Sequence, residues 1–286
     1  MKANGVNDFN HHGQDRESGL APADARQLVR RRGELAKEEP EQIVAYRHEH
    51  NVRVREASAE LRSQQFHYPF NVYGTAVQSF GEGLVAAREP FSDRAEEFRS
   101  LRGGLLATVF PGVSKRALAV VSAEKGDGKT YMVSNLAVIF SQFAGRTLLI
   151  DANLRNPGLH RVLGSKREVG LTNLLAGEVQ GAVMPVDGLE GLHFLGAGSA
   201  MADPVQLLQG ARFSILLEQM VDSFDYVFVD TPSNDIGPDA RLIAARAGAT
   251  LLVGRKGHSR VAPLRRLLSQ LNMGPSLVAG VVLNEH

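Results

Sequence analysis

Val120-Val121-Ser122-Ala123-Glu124-Lys125-Gly126-Asp127-Gly128-Lys129-Thr130 runs from an apolar strand through a glycine-rich turn into the start of a helix. Gly126 and Gly128 free the backbone to turn successive N–H groups inward, the arrangement that cradles phosphate oxygens. The helix opening at Lys129 adds its positive end, Lys129 can reach the β- and γ-phosphates, and the Thr130 hydroxyl can ligate Mg2+. The G-x-x-x-x-G-K-[ST] pattern is met except at its first position, where Ala123 stands. An ordinary glycine turn is the competing reading, and the strand–loop–helix context argues against it. The stretch reads as a nucleotide site, with Gly126, Asp127, Gly128, Lys129, Thr130 and Tyr131 as its contacts.

Outward from this loop, short apolar runs alternate with helix-length segments. Strands are expected at Ala117–Ser122, Thr147–Asp151, Leu192–Leu195, Tyr226–Asp230, Thr250–Gly254 and Leu277–Leu283, and helices at Lys129–Phe143, Pro204–Ser223, Pro238–Ala247 and Val261–Asn272. Unbroken apolar strands alternating with helices imply an α/β fold, a mostly parallel sheet with helices on both faces. Two carboxylates, Asp151 and Asp230, end apolar strands in Leu148-Leu149-Ile150-Asp151 and Val227-Phe228-Val229-Asp230. Ligands of open α/β sheets bind beside the strands' carboxyl ends, so Asp151, Asp230 and Thr130 are expected to converge on one Mg2+.

The residues before about 110 differ in character. They are polar and hold 5 of the 9 histidines. Residues 1–20 read as a flexible tail, 21–70 as a small helical N-terminal docking domain and 71–91, with Pro69 just before it and Gly74, Gly81, Gly83 and Pro90 within it, as a linker. Ser92 is placed to cap a helix that opens Asp93-Arg94-Ala95-Glu96-Glu97, and the domain that holds the glycine-rich loop is expected over 92–286.

Composition narrows the function classes. The chain has 286 residues, 43% of them hydrophobic and 22% charged, close to the soluble globular average. Lys plus Arg number 32 against 31 Asp plus Glu, a net charge of +1, so nucleic acid is not the expected partner. There is no cysteine, which excludes disulfides and thiolate chemistry and suits a reducing compartment. The N-terminus has no apolar core of a secretory signal, and no apolar run approaches the roughly 18 residues of a membrane span. A cytoplasmic chain that reaches a membrane only through a partner is the expectation.

The combination S-x-x-x-G-x-G-K-T, L-L-I-D-x-N-L-R and F-V-D-T-P resembles the Walker A, A′ and B motifs of the bacterial tyrosine kinases, P-loop NTPases of the deviant Walker type. Arg155-Asn156-Pro157-Gly158, Gly170-Leu171-Thr172-Asn173-Leu174-Leu175 and Asp203-Pro204-Val205-Gln206-Leu207-Leu208 extend the similarity, which covers 92–286. Within the family the chain is most similar to the EpsG-like kinases of exopolysaccharide chain-length control, through Gln64-Gln65-Phe66-His67-Tyr68-Pro69-Phe70 and the closing Leu283-Asn284-Glu285. The resemblance implies Mg·ATP-dependent transfer of a phosphoryl group to tyrosine, with Lys129, Asp151, Arg155 and Asp230 as catalytic residues. It also implies Asn284 as an adenine contact, for which a plain C-terminal turn residue is the rival reading.

Glu96-Glu97-Phe98-Arg99-Ser100-Leu101-Arg102 matches the family's E-x-x-R-x-x-R oligomerisation motif, and Glu96, Arg99 and Arg102 share one side of a helix. A ring-like homo-oligomer, activated by the cytoplasmic segment of a membrane-anchored chain-length adaptor and peripheral to the inner membrane, is what the resemblance implies. Two features depart from the family. Asn153 replaces the second Asp of D-x-D-x-R, and an amide cannot act as a base toward a phenol whose pKa is about 10. No tyrosine follows Tyr226, so the C-terminal tyrosine cluster is missing; Tyr131 and Tyr226 read as structural and Tyr46, Tyr68 and Tyr73 as the more plausible acceptors.

Two alternatives stay open. One is a kinase-weak ATP-binding regulatory module that gates adaptor oligomerisation. The other is a MinD/ParA-like ATPase, against which stands Glu124 at the position of that group's intersubunit lysine.

Overall fold

The computed structural model describes residues 80–113, 116–143, 145–165 and 169–285. The tail at 1–20, the docking domain at 21–70, the first part of the 71–91 linker, and Tyr46, Tyr68 and Tyr73 lie outside the described residues.

A seven-stranded sheet has the order β3-β4-β2-β5-β1-β6-β7. The strands are β1 (Ala117–Ser122), β2 (Thr147–Asp151), β3 (Val183–Pro185), β4 (Leu192–Leu195), β5 (Tyr226–Asp230), β6 (Gly248–Arg255) and β7 (Leu277–Asn284). Every pairing is parallel except β3 with β4. The short strand β3 was not expected; it contains Pro185 at a sheet edge, where a missing N–H is tolerated. In β1 every residue is buried. Its alternation is still legible: Ala117, Ala119 and Val121 enter one apolar cluster while Leu118 and Val120 enter the one on the opposite face. Burial on both faces is what makes such strands continuous apolar runs.

One face carries α1 (Val85–Arg88), α2 (Asp93–Thr108), α3 (Lys129–Ser141) and α4 (Leu159–Val162). The other carries α5 (Leu171–Ala176), α6 (Val205–Gln209), α7 (Ala211–Ser223), α8 (Asp239–Ala247) and α9 (Val261–Asn272). The single helix expected over 204–223 is two, because Gly210 takes an extended conformation between α6 and α7 (φ −61°, ψ 149°). Ser92 caps α2 as expected, its Oγ accepting the Ala95 N–H at 3.3 Å.

Residues 80–91 are not linker. Leu84, Val85 and Ala86 are buried against α3. Asn135 of α3 holds them from both sides: its Oδ1 accepts the Ala86 N–H and its Nδ2 donates to the Gly83 carbonyl, each at 2.8 Å. The physical reason is α3 itself, in which 11 of 13 residues are buried. A helix apolar all round needs a second layer over its outer face, and the Leu84-Val85-Ala86 triplet and α2 supply it. Gly81 and Gly83 on one side and Pro90 on the other shape the turns that flank it.

Candidate nucleotide site

The loop between β1 and α3 is built as the sequence implies. Gly126 and Gly128 both take left-handed conformations (φ 90° and 95°). Gly128 is also pressed by the end of β7, since a Cβ there would lie 2.1 Å from the Asn284 Nδ2. Asn284 is buried and donates to the Asp127 carbonyl at 3.4 Å, so the last strand closes over the loop. Lys129 is buried too, and its Nζ donates to the Ser122 Oγ at 2.8 Å. Burial is the main cause that lowers its pKa, opposed by Asp230, Asp127 and Asp235.

Asp151 and Asp230 stand opposite each other in register at the ends of β2 and β5. Asp230 is fully buried; its Oδ2 accepts the Thr130 hydroxyl at 2.7 Å, while its Oδ1 has no hydrogen-bond partner. Burial and the neighbouring Asp151 push its carboxyl up to about 7, against the pull of Thr130 and Lys129. A buried, unpartnered carboxylate oxygen beside a hydroxyl is the donor set that suits a hard oxygen-seeking cation. Among the described residues no cluster of three or more His, Cys, Asp or Glu side chains forms a metal site by itself. The residues thus fit a Mg2+ that takes its remaining ligands from phosphate and water, as such ions do.

Asp151 has a further task. Its Oδ2 accepts the N–H groups of Gly158 and Leu159, both at 3.0 Å, and its Oδ1 that of Asn153 at 3.2 Å. It therefore caps α4 and holds the 152–158 turn in addition to facing Asp230. Asn153 supports the same turn, its Oδ1 accepting the Asn156 N–H at 3.3 Å.

Several residues expected in the site are engaged elsewhere. Arg155 forms a forked pair with the buried Asp239, Nε to Oδ2 at 2.5 Å and the second nitrogen to Oδ1 at 3.2 Å, and also donates to the Ala202 carbonyl. In this state it fastens α8 and the 202–203 loop to the end of β2. The Asp127 carboxylate is fully buried and accepts the Glu124 N–H at 3.0 Å and the Ser259 hydroxyl at 2.6 Å, so it braces the loop from behind. Glu96 pairs with Arg99 at 2.9 Å on its own helix, and Arg102 donates to the Ile139 carbonyl at 2.9 Å.

Tyr131 packs edge-on against Phe98 (5.7 Å between centroids) and lines a cavity of about 550 Å3 with Leu101, Val282 and Asn284. Tyr226 lies among Phe110 and Phe140, with centroids 5.3 and 4.8 Å away. Sequence reasoning missed Ser122, Asp235, Asp239 and the 255–260 segment. Of these only Ser122 carried a linear signal, being the first residue of the loop motif.

The chain is 32% identical over 176 residues to the tyrosine-protein kinase CpsD of Streptococcus pneumoniae, a match covering 61% of this chain and 78% of that protein. The chain belongs to the bacterial tyrosine kinases. The kinase domain of the Escherichia coli tyrosine kinase ETK superposes with a TM-score of 0.66 at 27% identity, over 73% of this chain and 84% of that one. Other curated tyrosine kinases it matches are much longer, and the chain spans about a quarter of their length. No protein-family model matches. MinD from Pyrococcus horikoshii, solved with Mg-ADP, shares the fold at 21% identity and a TM-score of 0.53 over 60% of this chain. Among the described residues no helix is long and apolar enough to cross a membrane.

Proposed function

We propose that the chain is a protein-tyrosine kinase that transfers the γ-phosphoryl group of Mg·ATP to tyrosine. The observation that carries this is the convergence of buried Lys129 and Asp230 with half-buried Thr130, one Asp230 oxygen being left unpartnered, on a loop shaped for phosphate. Phosphoryl transfer asks a protein mainly for positioning and charge stabilisation. Lys129 and the loop N–H groups would hold the transferring oxygens, and the low-dielectric surroundings of Lys129 strengthen that attraction. Thr130 and Asp230, with Asp151 behind them, would hold Mg2+, which when bound neutralises charge between the β- and γ-phosphates. The cavity beside Tyr131 and Asn284 has the size to receive the purine base, with Phe98, Leu101 and Val282 as apolar surfaces among polar groups such as Arg94 and Glu97. Asp151, facing the site with no second acid at 153, is the residue left to accept the phenolic proton.

Around that chemistry we place the chain in the cytoplasm, at the inner membrane, bound to the cytoplasmic segment of a membrane-anchored chain-length adaptor and regulating exopolysaccharide polymerisation. Glu96, Arg99 and Arg102 would exchange their present intrachain partners for those of a neighbouring subunit in a ring. Phosphopeptide mass spectrometry on purified protein with Mg·ATP, with and without membranes, tests the kinase reading beside a Lys129→Ala control. Phosphotyrosine that disappears in the control supports it; none in either sample, with ATP still bound, leaves a nucleotide-gated scaffold. The scaffold reading has one observation of its own, the use of the Asn153 side chain as a turn acceptor. The MinD-like reading is disfavoured by Glu124, whose carboxylate is held within the chain by Arg260.

A further inference from the structure

Four side chains of one surface segment reach across to the phosphate loop from a position about 130 residues further along the chain. The Ser259 hydroxyl donates to the Asp127 Oδ1 at 2.6 Å and accepts the Arg255 N–H at 2.6 Å. The His258 Nε2–H donates to the Lys125 carbonyl at 3.0 Å. Arg260 holds the Glu124 carboxylate twice over, through its backbone N–H to Oε2 at 3.0 Å and its Nε to Oε1 at 2.8 Å. Arg255 reaches the Gly126 carbonyl at 3.4 Å. The segment is itself anchored, since the Lys256 N–H donates to the Asn284 carbonyl at 2.8 Å.

We propose that residues 255–260 are a clasp that holds the phosphate loop in its nucleotide-receiving shape, with Ser259 and Arg260 as positioning residues that act through Asp127 and Glu124. The inference rests on the nucleotide reading above. Two glycines with left-handed backbone give residues 124–128 wide conformational freedom, and ordering such a segment is unfavourable. If the ordering were left to the ligand, it would be subtracted from nucleotide affinity; if the protein makes the contacts beforehand, it is not.

Asp127 is the joint of the device. It lies between the two left-handed glycines, its carboxylate is fully buried, and its two oxygens take one donor from inside the loop (the Glu124 N–H) and one from the clasp (the Ser259 hydroxyl). Removing the Ser259 hydroxyl leaves a buried carboxylate oxygen short of its donor, so the carboxylate is drawn toward water and takes the loop with it. Arg260 and Glu124 are more exposed, so their pair is the weaker strut. None of the clasp side chains is assigned a role in phosphoryl transfer, and their effect should therefore be felt in binding.

The test measures Mg·ADP affinity by titration, steady-state KM and kcat for ATP, and hydrogen exchange at the 123–128 amides without nucleotide. Ser259→Ala should raise the ADP Kd and the ATP KM by about tenfold, with kcat within about twofold. Ser259→Thr, which keeps the hydroxyl, should restore both, and Arg260→Ala should raise Kd by about threefold. Exchange at 123–128 should quicken in Ser259→Ala while that of β2 and β5 stays unchanged. Unaltered Kd and unaltered exchange in Ser259→Ala would overturn the clasp, as would a fall in kcat with Kd unmoved. Should Ser259→Ala fail to fold, the same two readouts on Arg260→Ala decide. Failure of the wild-type chain to bind Mg·ADP would sink the nucleotide reading instead, and the exchange experiment would still judge the clasp.

Discussion

Replacing Asp230 by Asn removes a charge from the driest part of the site while leaving an acceptor for the Thr130 hydroxyl. Asp230 is fully buried, has one unpartnered oxygen, and faces Asp151 from the adjacent strand. Its carboxyl is raised from an ordinary 3.8 to about 7. A raised acid holds its proton in the folded chain over a range where the unfolded chain has lost it. Its contribution therefore favours folding at low pH, declines as pH rises through that range, and is gone above the folded value. Roughly three pH units at about 1.4 kcal/mol each set the size of the effect at about 4 kcal/mol.

The measurement is urea unfolding of the metal-free protein in chelator, without nucleotide, at pH 5, 6.5 and 8. Asp230→Asn should exceed the wild type by about 2–4 kcal/mol at pH 8, with the gap shrinking by roughly half at pH 5 and closing only below about pH 4. Thermal melts should show the same trend, with a shift of roughly 5–10 °C at pH 8. Mg·ADP should stabilise the wild type and leave Asp230→Asn nearly unmoved, since the variant lacks the charge that attracts the cation. A variant less stable than wild type at pH 8, or a difference independent of pH, would show that burial does not raise the Asp230 carboxyl.

Other perturbations separate structural roles from chemical ones. Arg155→Ala leaves the buried Asp239 carboxylate without its forked partner and should lower unfolding free energy by about 2–4 kcal/mol; a change under about 1 kcal/mol in urea unfolding would mean the pair is incidental. Gly170→Ala places a Cβ 2.2 Å from the Gly196 carbonyl oxygen and should cost about 3 kcal/mol or prevent folding, read by circular dichroism and melting temperature. Asn153→Asp keeps the acceptor for the Asn156 N–H and supplies the missing base, so phosphotyrosine yield should rise at least about threefold. Glu96→Ala breaks an exposed helix pair and should reduce oligomer size in light scattering, while shifting the melting temperature by no more than about 2 °C.

The parts of the fold that were legible in the sequence are those with local causes. Four of the expected strands, including β1 and β5, have the observed bounds, because burial on both faces demands an uninterrupted apolar run. Ser92 and the Gly126–Thr130 loop were legible for the same kind of reason: a cap and a phosphate cradle are each made by residues within a few positions of one another. The misplaced linker has a different origin. Residues 80–91 look like a connector by their two glycines and Pro90, and only the all-round apolar surface of α3 gives Leu84, Val85 and Ala86 somewhere to be buried.

In the site the division is sharper. That Lys129, Thr130 and the strand-end Asp residues meet at one edge of the sheet was readable from the chain alone, because strand direction puts them there. What each side chain does once there was decided by partners distant in sequence. Asp239 claims Arg155 across 84 positions and Ser259 claims Asp127 across 132. Pairings of that range follow from strand order and loop packing, which no local spacing encodes. Local spacing alone encodes a glycine-rich loop between strand and helix with two strand-end acids beside it. The tertiary structure decided which of those groups are free to meet a ligand and which hold the site in shape.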